Sequence, residues 1–416
     1  MKFEDVEIMS PVGSYEALMA AINAGADSVY FGVGALNMRS ASANNFTIED
    51  LRRIVEIAQS HNVRTYLTMN TIVYDGELEY MKQVINAAKD CGITAVIASD
   101  FAVISYANKV GVEIHLSTQC NITNREAVKF YCSFADVIVT ARELSLEQVK
   151  AITQWINDNQ IKGKSGRLLE IECFVHGALC MAVSGKCYIS LDNANKSANR
   201  GSCLQFCRRP YKVTDMDGGT ELAVDNKYIM SPKDLKTIDF LDKILDAGVR
   251  VLKIEGRGRS PEYVKIVTEV YKQAVKAYFN GTWSKEKLEE WNERLSRVYN
   301  RGFWDGYYLG QKVGEWSQNY GSQASTAKTY VGLVTNYFRK LDVAEIKVES
   351  GELKVGNDIY IMGVTTGVYE DKVSEIRVDL KPVAVSVKGE MCSIPTKQIV
   401  RRGDKVYVIQ KTERGQ

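Results

Sequence analysis

The stretch "VEIMSPVGSYEALMAAINAGADSVYFG", residues 6–32, shows how the first part of this chain folds. Two short apolar segments, 6–10 and 28–32, have the composition of β-strands. Between them apolar residues recur at helical spacing from Leu18 onward, and Gly25 stands where a helix commonly ends. The stretch therefore predicts a strand, a helix and a second strand.

The same alternation continues to about residue 280. Further strands are predicted from the β-branched runs at 64–70, 94–99, 112–118, 136–140, 169–175 and 250–256. Eight strands with helices between them predict an α/β fold, a TIM-like (β/α)8 barrel. A doubly wound open sheet is the alternative, but no G-x-G-x-x-G follows the first strand.

Polar residues cluster just after the predicted strands, where barrels of this type carry their functional groups. The candidates for binding a substrate there are Arg39, Asn45, Gln119, Arg142, Glu255 and Arg257. His115 lies within the fifth strand and is predicted to point into the barrel. His176 follows the seventh strand.

The connection after the seventh strand, about 176–230, is far longer than the few residues usual in such folds. It contains Cys180, Cys187, Cys203 and Cys207, separated by six, fifteen and three residues. The segment is therefore predicted to be a cysteine-rich insertion at the catalytic end of the barrel.

Three interpretations of these four cysteines remain open. A structural zinc site commonly uses two close pairs, and only the Cys203–Cys207 spacing fits that pattern. A four-iron, four-sulfur cluster also takes four thiolates and has less regular spacing, so the spacing favours it slightly. Unligated thiols are the third interpretation.

The remainder of the chain has a different pattern. Residues 283–325 are predicted to form a helical and irregular connector that follows the barrel domain, 1–282. Apolar residues alternate with polar ones from about 326, as in "TYVGLVTNY" (329–337) and "DKVYVIQ" (404–410). This pattern predicts a small C-terminal β-barrel domain over 326–416.

Composition limits the function classes. The 416 residues carry a net charge of +2, so contact with a nucleic acid would have to use local basic patches. No signal peptide and no run of roughly 18 apolar residues is visible, which predicts a cytoplasmic protein that does not cross a membrane. The nine cysteines are then thiols or metal ligands rather than disulfides.

Residues 172–190, "ECFVHGALCMAVSGKCYIS", resemble a known family. They match E-x-F-x-x-G-[SA]-[LIVM]-C-x4-G-x-C-x-[LIVM]-S, the signature of peptidase family U32, the collagenase-like proteins, without a departure. Other blocks that look like this family are "AGADSVYFG", "STQCNITN", "NRGSCLQFCRRPY", "SPKDL", "KIEGRGRSPEYV" and "NRGFWDGYYLG". The resemblance covers residues 5–310 strongly and the C-terminal part more loosely.

The resemblance implies an oxygen-independent hydroxylase with a 4Fe-4S cluster on four cysteines and prephenate as the oxygen donor. Branches of the family hydroxylate the wobble uridine of tRNA, a cytidine of ribosomal RNA or the ubiquinone ring. The length and C-terminal domain look most like the tRNA branch, the larger of two paired subunits in some bacteria. Implied partners are tRNA and a smaller paralogous subunit, with no DNA. In the ubiquinone branch one ligand follows the "SPKDL" block, where this chain has Lys236, so the resemblance makes Cys207 the fourth ligand.

Further site residues follow from this interpretation. Glu172 and His176, on or beside the signature, are the candidate catalytic residues. Arg39, Arg142 and Arg257 are candidates for binding a dicarboxylate, because a guanidinium matches a carboxylate. Arg208 and Tyr211 are candidates for stacking on an unpaired RNA base.

Two further function classes remain open. A peptidase needs a nucleophile with a base, or a metal-activated water, and the chain has neither H-E-x-x-H nor G-x-S-x-G. A Cys–His peptidase is still formally compatible with the three histidines, His61, His115 and His176. The chain could also be a non-catalytic, RNA-binding partner subunit.

Overall fold

Strands and helices alternate as predicted in the computed structural model, which describes residues 2–41, 45–212, 228–310 and 314–412. The strands of the first part are β1 (Glu7–Pro11), β2 (Ser28–Gly32), β3 (Arg64–Met69), β4 (Ala95–Ala98), β5 (Glu113–Leu116), β6 (Val137–Val139), β7 (Glu170–Gly177), β8 (Asp234–Lys236), β9 (Val251–Ile254) and β10 (Phe303–Trp304). The helices are α1 (Tyr15–Asn23), α2 (Asp50–Ser60), α3 (Leu78–Cys91), α4 (Phe101–Val110), α5 (Arg125–Tyr131), α6 (Leu146–Asp158), α7 (Ile189–Ala194), α8 (Leu241–Asp246), α9 (Pro261–Phe279) and α10 (Lys285–Arg297).

Eight of these strands close a parallel barrel. Each strand from β1 to β6 pairs in parallel with the next, and β9 pairs in parallel with both β7 and β1. All eight barrel strands lie where the sequence predicts them, so the TIM-like barrel is confirmed and the open sheet is wrong. The strands β8 and β10 extend the sheet from the end of β7 and were not predicted. With three and two residues, they are too short to show a period-two pattern.

Local sequence sets the helix ends. The Ser14 side chain accepts a hydrogen bond from the Ala17 backbone N–H at 3.2 Å, which caps α1. Helices α3 and α4 each end at a glycine with positive φ, Gly92 and Gly111. Gly25 likewise takes φ +84° just after α1 ends. These ends bring each helix back to the start of the next strand.

The second part is an antiparallel domain with its own hydrophobic core. Its strands are β11 (Thr326–Phe338), β12 (Val343–Val348), β13 (Glu352–Lys354), β14 (Asp358–Gly363), β15 (Gly367–Lys372), β16 (Ile376–Val378), β17 (Lys381–Val383), β18 (Val385–Val387), β19 (Met391–Pro395) and β20 (Lys405–Lys411). Eight of them form one sheet, and β13 pairs with β18. Both ends of the large sheet contribute to one core, so the sheet curves around it.

The antiparallel domain packs on the outside of the barrel. Tyr360, Met362 and Val368 form an apolar cluster with Ala20 of α1. The Lys328 ammonium lies 2.7 Å from the Glu262 carboxylate at the start of α9. The antiparallel domain therefore contacts the barrel through α1 and α9. The core of this domain does not cover the end of the barrel where the parallel strands terminate. Among the described residues, no helix is long and apolar enough to cross a membrane.

Candidate functional site

A cavity of about 400 Å³ opens at the end of the barrel where the parallel strands terminate. Because all eight strands end on the same side, the loops that follow them converge there. The predicted site residues that line this cavity are Arg39, Gln119, Arg142, Glu255, Arg257, Arg208, Cys180, Cys187, Cys203 and Cys207.

The cysteine-rich insertion forms one wall of the cavity. Its described parts, 178–212 and 228–233, bring together four cysteines that span 28 residues of sequence. Gly201 makes this possible: with φ +75°, a Cβ at this residue would lie 2.3 Å from the Asn37 carbonyl oxygen. The insertion therefore packs directly against the loop after β2. The part of the predicted insertion at 213–227 lies outside the described residues.

The four cysteines line the same cavity. Within the described residues, no three Cys, His, Asp or Glu side chains converge closely enough to hold a single metal ion. Burial raises the pKa of Cys207, and the neighbouring Arg208 acts in the opposite direction. The other five cysteines are not among the described residues that line the cavity. Burial raises the pKa of two of them, that of Cys120 to about 12 and that of Cys173 to about 11.

Arg208 holds the insertion rather than facing solvent. Its guanidinium donates to the Leu179 carbonyl at 2.6 Å, the Pro232 carbonyl at 2.5 Å and the Ser231 hydroxyl at 3.0 Å. Burial is the largest cause of its lowered pKa. These bonds tie the two ends of the insertion together, so the prediction that Arg208 stacks on RNA is wrong for this conformation.

An ion pair between Arg39 and Glu255 also lines the cavity. Arg39 donates to Glu255 at 2.6 Å, and the Glu255 side chain is 12% exposed. Burial alone would raise the pKa of Glu255, but Arg39, Arg142 and Arg257 outweigh it and hold that pKa at about 2. Glu255 is thus a permanent carboxylate that orients Arg39, and it cannot serve as an acid near neutral pH.

Three more guanidinium groups reach the cavity without a carboxylate partner among the described residues. Arg257 is buried and donates to Asn37 at 3.0 Å and Thr68 at 2.7 Å; burial lowers its pKa to about 10. Arg142 donates to the Ala178 carbonyl at 3.0 Å and stacks 3.9 Å from the Phe174 ring centroid. Its Nε is buried without a hydrogen-bond partner. Arg259 stacks on Tyr299 at 3.6 Å. Guanidinium groups without a carboxylate partner, one of them buried, are the arrangement expected around an anion.

The floor of the cavity is a buried ion pair. The Lys253 ammonium lies 2.7 Å from Oε1 of Glu172, and the two side chains are 6% and 0% exposed. Oε2 of Glu172 has no hydrogen-bond partner. Lys253 faces the cavity, whereas Glu172 lies beneath it. The predicted catalytic residue Glu172 is therefore placed to position Lys253 and does not contact the cavity itself.

His176 does not face the cavity, which contradicts its prediction as a catalytic residue. A register shift between Phe174 and His176 in β7 breaks the alternation that would point His176 inward. The ring instead packs against Tyr271 and Phe303, 1% exposed. Burial lowers its pKa to about 3, so the ring is neutral.

Three other predicted substrate contacts also lie away from the cavity lining. His115 is inside the barrel near its opposite end, with Nε2 3.4 Å from Glu113. Asn45 accepts a hydrogen bond from Asn37 at 3.1 Å and shapes the loop after β2. The Tyr211 hydroxyl donates to the Phe206 carbonyl at 2.8 Å, within the insertion. These side chains brace the fold.

Sequence reasoning missed several cavity residues, among them Lys253, Arg259, Tyr299 and Arg301. A signal for the first was present: Lys253, Glu255 and Arg257 stand at alternate positions, so one face of the last barrel strand is charged. Tyr299 and Arg301 have no such signal. They reach the cavity because β10 joins the barrel sheet through β8.

Comparison with known proteins places the chain. The model of peptidase family U32 matches residues 13–318. The chain belongs to this family.

Relatives in the family differ in their names. A collagenase of Porphyromonas gingivalis W83 is 57% identical over 413 residues, 99% of this chain and all of that protein. tRNA hydroxylation protein P1 of Bacillus subtilis is 32% identical over 365 residues, 86% of this chain and 83% of that protein. The 23S rRNA 5-hydroxycytidine C2501 synthase of Escherichia coli is 37% identical over 273 residues, 65% of this chain and 39% of that protein.

Proposed function

We propose that this U32 protein hydroxylates a base of RNA, most specifically the wobble uridine of tRNA to 5-hydroxyuridine. The observation that carries the proposal is the cavity itself, where four cysteines and several unpaired cations meet at the end of a barrel. Relatives named for tRNA and ribosomal RNA hydroxylation support the substrate class.

Cys180, Cys187, Cys203 and Cys207 would hold a 4Fe-4S cluster. The donor set fits such a cluster, because each thiolate binds a different iron and the four need only surround the inorganic core. A single zinc ion fits less well, since its ligands converge on one point. When bound, the cluster supplies redox or Lewis-acid chemistry at the cavity wall.

Prephenate, a dicarboxylate, is the proposed oxygen donor. Arg257 and Arg142 are the protein's candidates for its carboxylates, because they are buried or stacked in place and lack an acidic partner. Lys253 adds a third positive charge from the floor, held in place by Glu172. These groups bind and orient the anion. The insertion, tied down by Arg208, keeps the cysteine wall next to it.

An unpaired loop is the proposed RNA substrate, because a base must leave its stack to enter a cavity of this kind. We expect the protein to work with tRNA, either alone or with a smaller paralogous subunit. Hydroxylation of a ribosomal RNA cytidine is the alternative within the same chemistry.

Nucleoside mass spectrometry of RNA from wild-type and deletion strains tests the proposal. We expect 5-hydroxyuridine and its derivatives to disappear from tRNA in the deletion strain and to return with the wild-type gene. The modification should persist without oxygen and fall when prephenate synthesis is blocked. Loss of ribosomal hydroxycytidine alone would move the protein to the ribosomal substrate. No change in any RNA nucleoside, in a strain without paralogues, would overturn the proposal.

Peptidase activity is a second candidate, favoured by the collagenase name of the Porphyromonas gingivalis relative. A Cys–His peptidase needs an imidazole beside its thiol. No histidine is among the residues described as lining the cavity. Repurified protein should therefore leave collagen intact. Cleavage that copurifies with the protein and is lost in Cys180→Ala would favour the peptidase.

A further inference from the structure

We infer that the outer side of the insertion is a stacking surface for the RNA nucleotides that flank the base in the cavity. We define this insertion face by its exposed side chains, Met181, Val183, Lys186, Tyr188, Leu204 and Arg209. The inference rests on the proposed function and goes beyond it, because it assigns a binding surface outside the cavity.

The insertion is thin at this point. Cys180, Ser184, Gly185, Cys187 and Cys203 line the cavity, while neighbouring residues are exposed. Side chains along this loop thus alternate between the cavity and solvent. The insertion face is therefore separated from the cavity by a single layer of chain.

The insertion face is unusually apolar for a surface. Tyr188 is 75% exposed, although its ring can bury a large area, and Met181, Val183 and Leu204 are each 44–45% exposed. Exposed apolar groups gathered around the opening of a cavity commonly mark a binding surface. Tyr188 directly follows Cys187, which lines the cavity.

The insertion as a whole is also basic. The described segment 178–212 contains one acidic residue, Asp192, and six basic residues, Lys186, Lys196, Arg200, Arg208, Arg209 and Lys212. The entire chain has a net charge of only +2, so positive charge is concentrated on the insertion. Aromatic and basic side chains together match a single strand, whose bases stack and whose phosphates are anionic.

The arginines that remain available support this assignment. Arg208 is bound to carbonyl groups of the insertion, and Arg200 pairs with Glu77 at 2.5 Å. Arg209, by contrast, is exposed and lies 4.2 Å from the Phe206 ring centroid. It presents a guanidinium plane on which a base can stack. An acidic protein is the competing partner, but it would not require the exposed tyrosine beside the opening.

Binding of a synthetic RNA hairpin with an unpaired uridine in its loop tests the inference, using the purified full chain with its cluster. Tyr188→Ala should weaken binding about 5- to 150-fold, the range for loss of one base stack, whereas Tyr188→Phe should bind as wild type. Lys186→Ala should make the affinity less dependent on salt: the negative slope of log affinity against log salt should become shallower by about 0.7.

Phe130→Ala is the matched control, because Phe130 is a 54% exposed aromatic at the far end of α5. It should leave RNA affinity unchanged. Equal affinity of wild type and Tyr188→Ala would overturn the inference, as would a wild-type chain that binds no RNA. The inference would also be overturned if Tyr188→Ala weakened the binding of an acidic protein but not the binding of RNA.

Nucleoside analysis of wild-type, deletion and Tyr188→Ala strains distinguishes failure of this inference from failure of the proposed function. If Tyr188→Ala had normal RNA affinity and normal modification, the stacking surface would be wrong and the hydroxylase proposal would stand. If RNA binding were tight and depended on Tyr188 but a deletion strain had no altered nucleoside, the stacking surface would stand and the hydroxylase proposal would be wrong.

Discussion

The two ends of the barrel interior are built from the same strands but have opposite chemistry. At the closed end Met9, Tyr66, Val137 and Val251 pack together as an apolar plug. At the open end the inward positions carry charges. The strand β9 shows the change within one face: Val251 belongs to the plug, Lys253 forms the floor, and Glu255 and Arg257 follow at the opening.

The difference between the two ends indicates where a ligand binds. The plug stabilises the barrel by burying apolar area. The open end holds Arg257 and Arg142 without carboxylate partners, and one oxygen of Glu172 without any partner. Such groups reduce stability. Those at the open end line the cavity or lie directly beneath it, where a ligand can pair with them.

The largest effect is expected from the cysteine wall. Cys187→Ser should remove most of the iron, which we expect at about four atoms per chain, and abolish detectable RNA modification. Cys173→Ser is the control, because this buried thiol contacts Thr140 on the helix side of β7. Iron analysis and visible absorbance of anaerobically purified protein give the measurement. Equal loss of iron in both variants would show that the cavity cysteines have no special role.

A smaller but clear effect is expected from Arg257. Arg257→Met should lower kcat/KM for the hydroxylation by about 10²- to 10³-fold, as for the loss of one well-placed donor. Denaturant unfolding should be measured for the same variant, because removal of a buried charge favours stability whereas loss of the donor to Asn37 and Thr68 opposes it. Arg167→Met, at the closed end, breaks a pair with Glu113 and should leave kcat/KM unchanged. Similar rates for both variants would mean that the two ends do not differ in function.

The smallest effect concerns His176 and is one of stability. Its pKa is about 3 in the folded protein and about 6.5 when unfolded, so the unfolded state gains the proton first as pH falls. The stabilisation is present above pH 6.5, and about 2 kcal/mol should be lost between pH 7 and pH 5. Denaturant unfolding at both pH values measures it, and His176→Phe should lose less. Activity that follows a His176 titration near pH 6.5 would contradict its place outside the cavity.

Several features were predictable because they depend on neighbours in sequence. The β–α alternation follows from local periodicity, and the eight barrel strands were all found in this way. The insertion and its cysteines follow from the length of one connection and the spacing of one residue type. The charged face of β9 was visible in the alternation of Lys253, Glu255 and Arg257, although Lys253 was overlooked.

Which of these polar groups face the cavity depends on long-range packing. A single register shift in β7 turns His176 away, and a periodic pattern cannot show it. Arg39 pairs with Glu255 across 216 residues, whereas Arg257 finds only neutral acceptors, Asn37 and Thr68. Such pairings depend on distances set by closure of the barrel. Periodicity and composition are local properties, so the strands, the helices and the residue types at the open end could be predicted from the sequence. The fold decided which charges are paired, because that is set by long-range packing.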